Sequence, residues 1–136
     1  MSASKRILFV DDDDDFAEAM ATRCRELGLS ALTARNVLTA MSIAEKWQPD
    51  VVCLDVNMPT GNGLDVCEFL AQDAGLSRAR FVVLTGRTDR PTMRRSLELS
   101  AHYLAKSPAA WQQLRELLYD LLPELRPACD VAPSAN

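Results

Sequence analysis

Five short runs of apolar, often β-branched residues punctuate the chain: "RILFV" at 6–10, "SALTA" at 30–34, "DVVCL" at 50–54, "RFVVLT" at 80–85 and "HYLA" at 102–105. Runs of this length and composition predict β-strands. Between them the apolar positions return every three or four residues, first as Phe16, Met20, Cys24 and Leu27, then as Val37, Ala40, Met41, Ala44 and Trp47. That period turns one face of an α-helix toward a core. Gly28 supplies a stop for the first helix and Asn36 a cap for the second. Two weaker helices are predicted at "GLDVCEFLAQDA", after a loop holding Gly61 and Gly63, and at "DRPTMRRSLELS", where Asp89 caps and Pro91 sits in the first turn. Ser107 and Pro108 predict a cap and a first-turn proline for "AAWQQLRELLYDLL", in which Trp111, Leu114, Leu118 and Leu121 share a face. From residue 123 onward "PELRPACDVAPSAN" has three prolines and no period, so residues 123–136 are expected to form a flexible tail.

Strict alternation of strand and helix demands a parallel sheet, because right-handed crossovers lay the helices on its two faces. The predicted fold class is therefore α/β: a five-stranded parallel sheet, doubly wound in five β/α units. The fully apolar stretches at 51–54 and 81–84 suit central strands buried on both sides. One domain over residues 5–122 fits the length of 136 residues. No apolar run approaches the roughly 20 residues of a membrane span. "MSASKR" lacks the apolar segment of a secretory signal, so a cytoplasmic setting is expected.

Composition narrows the chemistry. Four cysteines, Cys24, Cys53, Cys67 and Cys129, lie far apart with one histidine, His102, which makes zinc improbable and leaves the first three as small core residues. A cytosolic setting also disfavours disulfides. Net charge is −4 but segregated: residues 11–18 hold six acids and no base, whereas 78–95 hold six arginines against Asp89 alone. The overall acidity argues against direct nucleic-acid binding, and the arginines at 87, 90, 94 and 95 are candidates for a protein-docking surface.

Ligands of open α/β sheets bind beyond the carboxyl ends of the strands. The first strand ends in Asp11 and Asp12, the third in Asp55 followed by Asn57, the fourth in Thr85, and the fifth leads to Lys106. Three carboxylates, a hydroxyl and an ammonium are thus predicted on one rim. Clustered carboxylates favour a hard divalent cation with oxygen ligands, and Mg2+ is the natural one. Metal and lysine together suit phosphoryl transfer with Asp55 as the attacking carboxylate. The remaining aspartates of the acidic run, Asp13, Asp14 and Asp15, suit a helix N-cap and first turn. An EF-hand calcium loop is excluded, since its sixth and twelfth positions would be Phe16 and Thr22 rather than Gly and Glu. A haloacid-dehalogenase-type phosphatase attacking through Asp11 would leave Asp55, Thr85 and Lys106 less well explained.

The pieces "ILFVDD", "VVCLDVNMPTGNGLDVCEFL", "VVLTG" and "YLAK", in this order, closely resemble the receiver domain of two-component response regulators over residues 5 to about 122. The resemblance implies the flavodoxin-like strand order 2-1-3-4-5. It implies Asp55 as phosphoacceptor, Asp11 and Asp12 as magnesium acids, and Asn57 as a metal ligand through its backbone carbonyl. Thr85 and Lys106 would contact the phosphoryl oxygens, and Tyr103 would be the switch aromatic that turns inward with Thr85. Asn57 and Arg87 fall where the family tunes dephosphorylation. One departure is that Ser107 stands between Lys106 and Pro108, where the family usually has proline directly after lysine. The implied partners are a sensor histidine kinase or phosphotransfer protein and a downstream protein, the latter docking on the face of the fourth helix, fifth strand and fifth helix. Such a domain is no enzyme in the ordinary sense but catalyses its own phosphorylation and dephosphorylation. No membrane contact and a monomer or weak dimer are expected. The chain either acts alone or is part of something longer, and a receiver-like module that signals without phosphorylation is the alternative.

Overall fold

The computed structural model of the chain describes residues 4–58, 61–62, 67–68, 71–72, 79–86 and 90–126. Its elements are β1 (Arg6–Val10), α1 (Asp14–Glu26), β2 (Ser30–Ala34), α2 (Val37–Trp47), β3 (Val51–Leu54), β4 (Arg80–Thr85), a helix over Arg90–Glu98, β5 (His102–Ala105) and a helix over Ala110–Leu121. A pair of two-residue antiparallel strands, Asn57–Met58 and Gly61–Asn62, follows β3. The five longer strands form one parallel sheet in the order β2-β1-β3-β4-β5. The expected α/β fold and strand order are therefore found.

Side chains alternate across the sheet and build a core on each face. Ile7 and Phe9 of β1 join Val51, Cys53, Val82 and Leu84 against α1 and the Ala110–Leu121 helix. Leu8 and Val10 join Val52, Leu54, Phe81 and Val83 against α2. Small residues permit close approach of helix to sheet: Ala17 and Ala21 of α1, and Ala40 and Ala44 of α2, are all buried. β3 is buried at every position, as its unbroken apolar run predicts, whereas β5 at the sheet edge is half-buried throughout.

The local signals hold at three boundaries. The Asp13 carboxylate accepts from the Phe16 N–H at 3.1 Å and caps α1, with Asp14 and Asp15 in the first turn. The Asn36 side chain accepts from the Thr39 N–H at 2.9 Å and caps α2. Gly28 takes φ +101°, a left-handed conformation open to glycine at little cost, just beyond α1. Two boundaries are corrected. The last helix begins at Ala110, not directly after Ser107, because the Ser107 hydroxyl accepts from the Ala109 N–H at 3.2 Å and its carbonyl from the Ala110 N–H at 2.9 Å, closing a turn first. Residues Pro123–Leu125 of the expected tail form a 3-10 turn, and Leu125 packs against the core. The helix predicted at 63–74 is helical at the described residues Cys67, Glu68 and Ala71. Arg87, Asp89 and Cys129 lie outside the described residues, as does the tail from residue 127 onward.

At the other sheet edge, Arg25 Nη2 donates to the Ala31 carbonyl of β2 at 2.9 Å, and Thr33 Oγ1 donates to Glu18 at 3.2 Å. Among the described residues no helix is long and apolar enough to cross a membrane.

Two outcomes follow from this core. Leu114, wholly buried between the last helix and the sheet, should cost about 2–5 kcal/mol when replaced by alanine, measured by urea unfolding. Burial pushes the Cys24 thiol up to about 12, the Cys67 thiol up to about 11 and that of Cys53 well above its ordinary value. Iodoacetamide at pH 8 should therefore spare all three in the folded protein and alkylate them only after urea is added, as read by peptide mass mapping.

Candidate functional site

The rim at the carboxyl ends of the strands is assembled by one further rung of the parallel ladder. The Asp11 N–H donates to the Ala34 carbonyl, that of Asp55 to Val10, and that of Lys106 to Thr85, each at 2.9 Å. Val10 is level with Leu54 in the register, so Asp11 and Asp55 emerge side by side. The backbone of each residue is thus set before any side-chain interaction is made.

Ligand oxygens of Asp11, Asp12 and Asp55 lie within 4.8 Å of one another. Asp11 and Asp55 are buried, and Asp12 is more exposed. Lys106 answers this charge: its Nζ is 2.7 Å from Asp11 Oδ2 and 3.4 Å from Asp55 Oδ2. The Asp13 N–H donates to Asp11 Oδ1 at 2.9 Å and fixes that carboxylate from the other side. The lysine reaches both acids even though Ser107, not proline, follows it.

Burial dominates the titration of Asp11 and raises its pKa above the ordinary carboxylate value, against the opposing pull of the Lys106 hydrogen bond and the Asp13 N–H. Burial would lower the pKa of Lys106, but the hydrogen bond and charge of Asp11, with the charge of Asp55, outweigh it and raise it. The ammonium is therefore retained, and it neutralises part of the acid cluster. Three carboxylate oxygens within 4.8 Å of one another, with the Lys106 ammonium beside two of these acids, are a hard donor set. They fit a divalent ion such as magnesium.

Thr85 is fully buried at the end of β4. Tyr103 pairs with Val83 in β5, and Thr85 lies two residues beyond Val83, so both side chains face the same side of the sheet. Tyr103 packs, partly buried, against the core on that side. Asn57 stands in the small antiparallel pair two residues after Asp55. The sequence thus places Asp11, Asp12, Asp55 and Lys106 in one cluster, with Thr85 and Tyr103 on the neighbouring strands. It gives no sign of Phe16 as a site residue, yet the Lys106 ammonium lies 4.7 Å from the centre of its ring. Phe16 reads as an ordinary apolar helix position, and no spacing rule links it to a lysine so far along the chain.

The proposed arginine surface is uneven. Arg90 and Arg94 are exposed, together with Leu97 at 72% exposure, whereas Arg95 is half-buried and 3.9 Å from Glu68.

Comparison with known proteins gives a consistent match. The response regulator receiver domain family model matches residues 7–119. The chain is 34% identical over 104 residues to the DNA-binding response regulator MtrA of Mycolicibacterium smegmatis, covering 76% of this chain and 44% of that protein. It is 32% identical over 119 residues to the photosynthetic apparatus regulatory protein RegA of Cereibacter sphaeroides, covering 87% of this chain and 64% of RegA. The chain therefore spans less than two thirds of either relative. Among solved structures, a putative response regulator from Chloroflexus aurantiacus is similar with a TM-score of 0.80 and 28% identity, covering 89% of this chain and 99% of that one. The chemotaxis protein CheY4 of Vibrio cholerae shares the fold with a TM-score of 0.81 at 24% identity, covering 88% of this chain and 100% of that one.

The repulsion within the cluster has a measurable consequence. Asp12→Asn removes one of three neighbouring negative charges and should raise the melting temperature in EDTA by about 4 °C. The same variant should lose most of any stabilisation that added magnesium gives the parent, as followed by circular dichroism.

Proposed function

This chain belongs to the response regulator receiver family of two-component systems, and from that premise we propose that it is a phosphorylation-dependent switch with Asp55 as phosphoacceptor. The observation that carries the reading is the convergence of the Asp11, Asp12 and Asp55 oxygens within 4.8 Å, with the Lys106 ammonium 3.4 Å from Asp55. A carboxylate oxygen of Asp55 attacks the phosphorus of a kinase or phosphotransfer phosphohistidine. The P–N bond breaks, its electron pair leaves with the imidazole, and an O–P bond forms. Asp11, Asp12 and Asp55, with the backbone carbonyl of Asn57, would hold Mg2+, which when bound supplies positive charge against the phosphoryl oxygens. Lys106 contributes a second positive charge from the β5 side, and the Thr85 hydroxyl donates to the transferred group.

The switch follows from the strand ends. Thr85, drawn toward the phosphoryl group, vacates space on the face it shares with Tyr103, and the tyrosine ring turns inward. The Arg90–Glu98 helix, β5 and the last helix then present an altered surface to a downstream protein, with Arg90 and Arg94 as its exposed cations. A cytoplasmic setting and output by protein docking rather than direct nucleic-acid contact belong to this proposal.

Intact mass spectrometry tests it. With magnesium and acetyl phosphate the protein should gain one phosphoryl group, while Asp55→Asn and EDTA-treated protein should gain none. Magnesium alone at about 100 times its dissociation constant should stabilise the fold by about 2.7 kcal/mol. A protein that gains no phosphoryl group and no stability from magnesium would instead be a phosphorylation-independent interaction module.

A further inference from the structure

The two acids that hold Lys106 are the groups whose charge changes when the site is used. A cation held by Asp11 and Asp55 would compete with the ammonium for their oxygens, and phosphorylation makes one Asp55 oxygen the bridging oxygen of an acyl phosphate. The contacts at 2.7 Å and 3.4 Å are therefore weakened by the events the lysine serves. Phe16 makes a contact of a different kind. Its ring centre is 4.7 Å from the ammonium, within range for attraction between a cation and an aromatic face, and the ring carries no charge to be neutralised.

The ring itself is held independently of the site's ligands. Asp13 caps α1 by accepting from the Phe16 N–H at 3.1 Å, which sets the backbone of Phe16 in the first turn. Its side chain packs against the core that contains Phe9 and Leu84, and it lines a small cavity together with Cys53, Asp11 and Asp55. The Lys106 side chain is only 20% exposed, so little water competes for this face.

We propose that Phe16 is a positioning residue that keeps the Lys106 ammonium over the rim through changes in the charge of Asp11 and Asp55. The inference deepens the phosphoacceptor reading and rests on it. A proton above an aromatic face resonates upfield, so the Lys106 ε-methylene signal should be shifted upfield in the parent protein and should stay shifted when magnesium chloride is added. In Phe16→Leu, which keeps apolar bulk without the ring, that shift should vanish, and phosphorylation by acetyl phosphate should slow by about threefold to tenfold. Phe16→Tyr, which keeps the ring, should restore the shift and bring the rate within about twofold of the parent. An unshifted methylene in the parent, or one that moves away with magnesium, overturns the inference without any variant being needed. A parent-like rate in Phe16→Leu, or a slowing that tyrosine does not rescue, also overturns it. A shifted methylene in a protein that takes no phosphoryl group would sink the phosphoacceptor role while leaving the contact in place.

Discussion

The ion pair of Lys106 with Asp11, at 2.7 Å, joins the ends of the first and last strands of the sheet across the rim. Removing two carboxylates from water is costly, and a single nearby ammonium offsets only part of that cost. The surroundings offset more of it: a backbone N–H donates to Asp11, and a ladder rung underlies each residue. The rim is the place where the fold gathers charge, while the two cores beneath it are apolar. Stability is made in the layers, and chemistry is left at their edge.

Most of this was readable in the chain because the signals were redundant. A strand such as "VVCL" is apolar at every position, and its burial on both faces follows with no knowledge of its neighbours. The strand-end acids, Thr85 and Lys106 were legible because topology alone brings carboxyl ends together. The start of the last helix was not, since Ser107 and Pro108 suit both a helix cap and a preceding turn, and only backbone geometry separates the two. Leu125 gave a similar ambiguity: one apolar residue among prolines reads as tail until the core offers it a place. Phe16 illustrates a third case, in which the residue's position was predicted and its partner was not.

The same economy links the acidic run to the site. Asp11 and Asp12 belong to the cluster, while Asp13 starts the helix and, through its own N–H, also orients Asp11. Five consecutive acids are thus divided among different tasks by the turn from strand to helix, which points successive side chains in different directions. Charge that would be repulsive in an extended run is separated by geometry within a few residues.

The bracing of β2 reaches beyond the domain itself. An outer strand normally leaves carbonyl groups facing solvent, ready to template another chain. Here the guanidinium of Arg25 occupies the Ala31 carbonyl, and Glu18 lies against Thr33 of the same strand. An incoming strand would have to displace a charged hydrogen bond before pairing there. Strand addition at this edge is therefore opposed locally, at the Ala31 carbonyl.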